Sequence, residues 1–219
     1  MKKLVWTLVL PALLLAACKR QDSYNNITLD RYQLSLLSGD SQKINVQTGD
    51  PENVLWTSDN PFVATVDKGT ISGIRVGTAR ISANNAVVSV RVNPRSNLYV
   101  EPITDFRWGV TREYVINTLG IPDRIENNTM RYDMSSAVSS FKIYMFDDNG
   151  RLIAAGITIN RDKTSHLDDF LNERYFLLTD DGEINKEFIN ALSYTHADMS
   201  VSRNAYDNNY WIVTYRALQ

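Results

Sequence analysis

The feature that most constrains the fold of this chain is a series of short alternating segments between residues 27 and 93. Apolar and polar residues alternate within each segment, and turn residues such as Gly39-Asp40 and Gly49-Asp50-Pro51 separate the segments. Period-two alternation indicates strands with one buried face, and no window in this region shows a sustained helical period. About seven or eight strands of this length predict one compact all-β sandwich over residues 27–93.

The same region contains a set of motifs in a fixed order. Trp-Thr-Ser-Asp-Asn-Pro at 56–61 precedes Val-Ala-Thr-Val-Asp at 63–67, and Gly69, Ile-Ser-Gly at 71–73 and Gly-Thr-Ala-Arg-Ile at 77–81 follow. This order resembles the bacterial Ig-like domain of group 2, and the resemblance covers roughly a third of the chain. It implies an Ig-like sandwich of the kind that serves as a spacer or module in bacterial surface proteins and adhesins. It identifies no ligand.

Trp56 is expected to be a core residue of this sandwich. The pattern places it on a central strand, where a thin core between two sheets needs a bulky apolar side chain. Gly69, Gly73 and Gly77 follow at positions where the backbone can adopt conformations that a side chain would forbid. We therefore interpret these four residues as scaffold and not as a binding site.

The N-terminal segment is typical of a secretory signal. Lys2 and Lys3 precede an apolar run over residues 4–17, which ends in small residues before the single cysteine, Cys18. The run is shorter than the roughly twenty residues that a spanning helix needs, and it contains Pro11. We therefore expect a signal segment over residues 1–17 and not a transmembrane helix.

The tetrapeptide Leu15-Ala16-Ala17-Cys18 resembles the lipobox of bacterial lipoproteins. The resemblance implies that lipid attaches to the Cys18 thiol and that cleavage makes Cys18 the first residue. The polar stretch from Ser23 to Asn26 indicates a short tether, which we place at residues 18–26. Lys19, by similarity to enteric lipoproteins, implies the outer membrane of the bacterial cell envelope. A soluble secreted protein whose cleaved leader happens to end in cysteine stays open as the alternative.

The pattern changes near Asn93-Pro94-Arg95-Ser96, which we interpret as a linker between two independent cores. Residues 98–219 mix helical and strand patterns, so the whole chain reads as an all-β Ig-like sandwich followed by an α+β domain. Thr111 and Gly120 are expected to begin and end a first helix, and Ser165, with Asp168 in a capping box, to begin a second. The predicted strands of this domain are 129–134, 141–146, 152–159, 175–179 and 188–192, followed by a hairpin over 199–215.

Part of this second domain also resembles known families. Gly109-Val110-Thr111, Val115, the segment 119–122, Tyr132 and Phe146 are similar to the helix-plus-hairpin unit of the small outer-membrane assembly lipoproteins and of β-lactamase inhibitory proteins. The resemblance covers roughly fifty residues, and it implies a function through protein–protein contact. The alternative is that any capped helix leading into a hairpin has this pattern, so that the match indicates no family.

Charge and motif content argue against several function classes. The formal net charge is −2, whereas nucleic-acid binding requires a basic footprint. His166 and His196 are the only histidines and lack the spacing of zinc ligands, so we expect no metal and no cofactor. Fragments of a serine-enzyme motif set occur at 139–142, 58–60 and 163–165, but in the wrong order and in two domains. We interpret them as a coincidence and expect no catalytic residues.

The candidate binding surface is an aromatic cluster near the C-terminus, formed by Tyr206, Tyr210 and Trp211. Because neighbouring side chains on a strand point to opposite faces, only one of Tyr210 and Trp211 is expected to be buried. The favoured hypothesis is a non-enzymatic, lipid-anchored surface protein that presents this domain to an envelope or surface protein or to a glycan. The alternative is a periplasm-facing assembly or inhibitor-type lipoprotein that acts by protein–protein contact.

Overall fold

A computed structural model of the protein describes residues 26–182 and 185–218. The predicted signal segment, Cys18 and the predicted tether up to residue 25 lie outside the described residues. The lipid attachment at Cys18 therefore stays a prediction.

The first domain is a sandwich of short strands. A four-stranded sheet in the order β2-β9-β8-β5 and a three-stranded sheet in the order β3-β7-β6 share one core, and β1 pairs with β4. All described neighbours run antiparallel except β2 and β9, which are parallel. The strands are β1 (Thr28–Leu29), β2 (Gln33–Leu37), β3 (Ser41–Lys43), β4 (Val46–Thr48), β5 (Trp56–Ser58), β6 (Ala64–Asp67), β7 (Thr70–Gly73), β8 (Gly77–Ala83) and β9 (Ala86–Asn93).

The core of this domain is built from alternate positions of its strands. In β9, Ala86, Val88, Val90 and Val92 are buried and the residues between them are exposed. Val88 and Val90 pack in the same buried cluster as Ile81 of β8, from the same sheet. The prediction of an all-β sandwich from period-two alternation is confirmed.

Trp56 departs from its prediction in one respect. It begins β5, which the strand order places at the edge of its sheet, so the expectation of a central strand is wrong. The indole is half-buried and packs against the core cluster, close over Gly69, where an added Cβ would lie 3.0 Å from the indole Cζ2. Strand order is set by pairing between distant segments, which local alternation does not report.

The second half of the chain is mostly β-structure with two short helices. Its eight strands form one antiparallel sheet in the order β10-β11-β12-β13-β17-β16-β15-β14. The elements are α1 (Arg112–Leu119), β10 (Arg124–Glu126), β11 (Thr129–Asp133), β12 (Phe141–Phe146), β13 (Leu152–Asn160), α2 (Thr164–Asn172), β14 (Phe176–Asp180), β15 (Asn185–Ile189), β16 (Met199–Ala205) and β17 (Tyr210–Ala217). Because the helices span only eight and nine residues, the α+β prediction is supported only loosely.

The order of elements reveals a repeat that the sequence analysis did not find. A helix followed by a four-stranded meander occurs twice, as α1 with β10–β13 and as α2 with β14–β17. The two meanders join where β13 pairs with β17, from Ala154 opposite Arg216 to Asn160 opposite Tyr210. One continuous sheet therefore contains two copies of one simple unit.

Both helices pack on the same face of this sheet. Val115 of α1 contacts a buried cluster that includes Met130, Tyr144 and Phe146. Leu167, Phe170 and Leu171 of α2 pack in a second cluster with Val213 and Tyr215 of β17. Tyr144 and Tyr215 both pair with Ala155, and Val213 lies two residues from Tyr215 on β17, so these side chains share one face of the sheet. The positions between them along each strand face the opposite side.

The helix boundaries follow the sequence at α1 but not at α2. The Thr111 side chain accepts a hydrogen bond from the Tyr114 N–H, and Gly120, at φ +91°, donates its N–H to the Ile116 carbonyl, as predicted. In contrast, α2 starts at Thr164, and its N-cap, Lys163, makes no side-chain capping bond. The expected capping box is wrong, because the Asp168 carboxylate pairs with Lys186 and Arg203 across the sheet instead.

Candidate functional site

The candidate site is the face of the eight-stranded sheet opposite the two helices, called here the open face. One row of paired residues crosses it from strand to strand. Arginines occupy one end of the row, small or aliphatic residues the middle, and a glutamate and a threonine the other end. The row runs Arg124, Arg131, Ile143, Gly156, Thr214, Ser202, Glu187 and Thr179.

The sheet surface is recessed at the middle of this row, because Gly156 has no side chain. A Cβ added there would lie 3.0 Å from Cγ1 of Ile143 and 3.4 Å from the Val213 carbonyl oxygen. Glycine in a strand often marks a site where another chain or a ligand can approach closely. The open face is therefore shallow at its centre and carries its charges towards the edges.

Tyr206 forms the wall of a cavity of about 380 Å³ at the arginine end of the open face. Its ring is 49% exposed and meets the buried ring of Phe141 edge-on, with 5.3 Å between the ring centroids. The Arg131 guanidinium lies 4.0 Å from the same Phe141 ring, and its Nε donates to the Asp133 carboxylate at 2.6 Å. We call this place the Tyr206 cavity; it combines an aromatic wall with a positioned cation.

A second cavity of about 420 Å³ opens on the strands at the other end of the face. Ser200, Ser202 and Thr214 supply hydroxyl groups along it, and Tyr194, which is 60% exposed, stands at its side. Arg216 also lines it. These residues were not predicted from the sequence, since serine alternating with valine in 200–202 is equally typical of an ordinary solvated strand face.

The three predicted surface residues do not share one environment. Tyr206 is exposed and Tyr210 is half-buried, and the register places Tyr210 on the open face opposite Asn160. Trp211 is only 5% exposed and points to the helix face, where its Nε1 donates to Thr164 Oγ1 at 2.9 Å. Trp211 is therefore a core residue, and its assignment to the binding surface is wrong.

A charged network behind Trp211 is structural. Arg203 is 2% exposed, lies 4.3 Å from the Trp211 ring and donates to the Asp168 carboxylate at 2.7 Å. Lys186 bridges Asp168 at 3.0 Å and Asp180 at 3.2 Å. Burial alone would lower the pKa of Lys186, because it disfavours the charged form. The two carboxylates outweigh this effect and raise the pKa of Lys186 above its ordinary value. The network ties α2 to β15 and β16 under the sheet and presents no group to the open face.

The predicted linker is held by hydrogen bonds to the end of α2. The Glu173 carboxylate accepts from the Arg95 N–H at 3.0 Å and the Ser96 N–H at 3.1 Å. The Arg174 guanidinium donates to the Ser96 carbonyl at 3.0 Å. With 11% exposure, the Glu173 side chain is largely shielded from water.

The loop between β7 and β8 completes this junction. Val76 donates its N–H to the Glu173 carbonyl at 2.8 Å, and Arg75 Nε donates to the Tyr175 carbonyl at 3.1 Å. The Arg75 guanidinium also lies over two rings, 4.8 Å from that of Phe62 and 5.3 Å from that of Phe176. The first domain therefore meets the second domain through a defined contact, which the prediction of a linker did not include.

The fragments of the serine-enzyme motif set do not form a site. Ser139 Oγ lies 3.4 Å from Thr158 Oγ1, whereas Lys142 pairs with Tyr132 and Ile157 in the row that faces the helices. His196 Nδ1 contacts Ser193 Oγ at 2.7 Å within a local 3-10 turn. In the described part of the chain, no group of three or more histidine, cysteine or acidic side chains is placed to hold a metal ion.

Comparison with known proteins bears on the first domain. Residues 24–96 match the family model of the bacterial Ig-like domain (group 2). The resemblance drawn from the Trp56 motif and the glycines after it is confirmed for this region. Ig-like domains of this family are often found in surface or adhesion-type bacterial proteins. No curated protein matches the chain.

Proposed function

We propose that this protein is a non-enzymatic, lipid-anchored protein of the bacterial envelope that binds another protein on the open face of its sheet. The observation that supports binding best is the row across all eight strands, with Arg124 and Arg131 at one end and Glu187 near the other. Sites for small molecules are enclosed and mostly apolar, whereas this surface is broad, shallow and bordered by charge. Such a surface suits a protein partner of complementary charge.

The Tyr206 cavity is the expected centre of binding energy. Interface energy is concentrated in a few residues, among which tyrosine, tryptophan and arginine are enriched. Tyr206 is half exposed and already braced by Phe141, and Arg131 is held by Asp133 and by the Phe141 ring. Side chains fixed in this way lose little conformational entropy when a partner binds.

Membrane attachment rests on the N-terminal sequence. One acyl chain gives only marginal binding, whereas the two or three chains that the lipobox resemblance implies give stable anchoring. Among residues 26–182 and 185–218, no helix has the length and hydropathy needed to cross a membrane. Lipid at Cys18, in the outer membrane, is the attachment that we propose.

The Ig-like domain then serves as a spacer with a fixed direction. Val76 and Arg75 bind the segment after α2, and Glu173 binds the linker, so the open face has one orientation relative to the sandwich. A spacer that is locked in this way can present the open face in one orientation relative to the sandwich.

A second candidate function is a periplasm-facing assembly or inhibitor-type lipoprotein. The observation in its favour is the unit of one helix and four strands, which occurs twice in this half of the chain. It is compatible with the resemblance of residues 109–146 to the small outer-membrane assembly lipoproteins and the β-lactamase inhibitory proteins. Both candidates use the open face, and they differ in the side of the membrane that it faces.

Site-specific photo-crosslinking in cells tests the binding function. A photoreactive amino acid at position 206 or 143 should crosslink to one defined protein, and one at Leu55, which is 72% exposed on the Ig-like domain, should not. The substitution Arg131→Glu should abolish the crosslink from position 143, while Arg91→Glu on the outer face of β9 should leave it unchanged. Equal crosslinking from positions 206 and 55 would refute the assignment of the open face. If the protein loses binding to its partner only after glycans are removed, the ligand is a glycan.

Protease treatment of intact cells separates the two candidates. Degradation of the protein on whole cells supports a surface-exposed binding protein. Protection on whole cells, with degradation after the outer membrane is permeabilised, supports the periplasm-facing alternative.

A further inference from the structure

The outermost strand at the arginine end of the sheet, β10, has a free edge. It pairs with β11 on one side, and in the described part of the chain no strand pairs with its other side. All three of its residues, Arg124, Ile125 and Glu126, are exposed, and Ile125 retains 55% of its accessible surface. An edge strand presents unpaired N–H and C=O groups that can hydrogen-bond to another strand.

The sequence of β10 is complementary to itself in the antiparallel direction. If two copies pair about Ile125, then Arg124 of each copy stands opposite Glu126 of the other, and the two Ile125 side chains meet at the axis. Residues directly opposite in an antiparallel pair have Cβ atoms about 4.5–5.5 Å apart, and opposite charges there are favourable. Both possible ion pairs are therefore satisfied by one two-fold arrangement.

The chain just before β10 adds exposed apolar surface at the same edge. Ile121 is 88% exposed, which is extreme for a large aliphatic side chain, and Leu119 is 38% exposed. This segment is held beside β11, because Tyr132 Oη donates to the Gly120 carbonyl at 3.0 Å and the Asp123 N–H donates to the Arg131 carbonyl at 2.9 Å. Exposed apolar surface that is fixed in place is a common feature of association sites.

We propose that this edge is a homodimer interface, in which β10 of one protomer pairs antiparallel with β10 of a second copy. The two sheets then continue into one another, and the contact is isologous, as in most two-fold dimers. Arg124 and Glu126 already contact each other within the strand at 3.5 Å, but both are more than 60% exposed, so exchanging this weak pair for partners across the axis costs little. The proposal uses the sheet edge and does not depend on the open face being a binding site.

Membrane attachment would strengthen such a contact. Tethering two copies to one surface raises the effective concentration of each for the other, as a linker does between two binding modules. A short strand pair that is weak in dilute solution can then be well populated. The rival reading is that charge and short length protect this edge from pairing, which is a known device of β-proteins.

Complementary charge variants provide the test. The substitution Arg124→Glu makes the strand Glu-Ile-Glu, and Glu126→Arg makes it Arg-Ile-Arg. Each variant alone places like charges opposite each other across the axis and should sediment as one chain. An equimolar mixture restores both cross-strand ion pairs and should sediment as two chains, although the like charges within each strand remain. The assay is sedimentation equilibrium of the full chain in density-matched detergent.

The controls make each outcome decisive. The unchanged protein should form a dimer, and Arg91→Glu, an equal change of charge on the Ig-like domain, should not alter this. Ile125→Asp should give a single chain, with circular dichroism showing that the fold is kept. A wild-type protein that stays a single chain up to high concentration overturns the proposal, as do single variants that still dimerise or a mixture that does not associate.

Discussion

Removal of the Glu173 carboxylate should loosen the junction between the two domains without unfolding either. In the variant Glu173→Ala, the N–H groups of Arg95 and Ser96 lose their acceptor, whereas the bonds from Val76 and Arg75 end on backbone carbonyls and remain. Hydrogen bonds to a charged group contribute about 1.5–3 kcal/mol each. Two such bonds would give about 3–6 kcal/mol. The bond from the Arg95 N–H lies in an exposed position, so water can replace part of the loss. We expect a net cost of about 2 kcal/mol.

Calorimetry and limited proteolysis measure this effect. A cost of about 2 kcal/mol should lower the melting temperature of a cooperative unit of this size by roughly 4–8 °C, or split one transition into two. Protease should cut the variant within residues 94–97 and release fragments of roughly 70 and 120 residues, which lie within the usual range of domain sizes. The wild-type protein should resist cleavage at the same place.

The matched control for this prediction is Asp169→Ala. Asp169 lies one turn earlier on α2, carries the same charge, and makes no side-chain hydrogen bond or ion pair with any described residue. Glu173→Gln keeps one carbonyl acceptor and should fall between the wild type and Glu173→Ala. The reasoning is refuted if Glu173→Ala and Asp169→Ala melt at the same temperature and neither is cut in the linker.

Three further predictions concern other parts of the chain. Cys18→Ala should abolish acylation and move the protein out of the membrane fraction, and a variant that still partitions with membranes like the wild type would contradict the lipid anchor. Trp56→Ala should destabilise the Ig-like domain by about 2 kcal/mol, because the indole lies half-buried on an edge strand. This is below the roughly 3–5 kcal/mol typical of a fully buried tryptophan. An unchanged first-domain melting transition would contradict the core role of Trp56, and lost ligand binding in the same variant would assign the indole to a binding site. Burial raises the pKa of Tyr99, Tyr175 and Tyr215. Since these phenols ionise near pH 10 only in the unfolded chain, stability that is complete below that pH should fall above it by up to about 4 kcal/mol per pH unit. Urea unfolding midpoints at pH 9 and pH 11 measure this fall, and equal midpoints would contradict it.

Local signals were sufficient for the sandwich and for α1. In β9 the alternation of Val88, Val90 and Val92 with polar residues determines which side of the strand is buried, whatever the neighbouring strands are. Thr111 and Gly120 cap α1 through bonds to residues three or four positions away. Features of this kind depend on residues that are close in sequence, so the sequence alone can predict them.

Features that depend on pairing between distant segments could not be predicted in the same way. Residues 154–159 of β13 are buried on both faces, so they show no alternation that would reveal the pairing with β17 or the repeat that this pairing joins. Alternation predicted that one of Tyr210 and Trp211 is buried, but only the position of α2 determines that it is Trp211. Glu173, which directly follows α2, gave no local sign that it binds the linker.

The junction and the free edge together limit how the open face can work. If Glu173 fixes the sheet relative to the Ig-like domain, the direction of β10 relative to that domain is fixed as well. Two copies that pair through β10 would then hold two open faces in one continuous sheet, with the arginine ends of both rows at the centre. At this centre Arg124 of each copy would pair with Glu126 of the other, and Arg131 already contacts Asp133, so a partner that spans the centre meets paired charges of both signs. Weakening of partner binding by Glu173→Ala, which touches neither the open face nor β10, would show that this fixed geometry is part of the function.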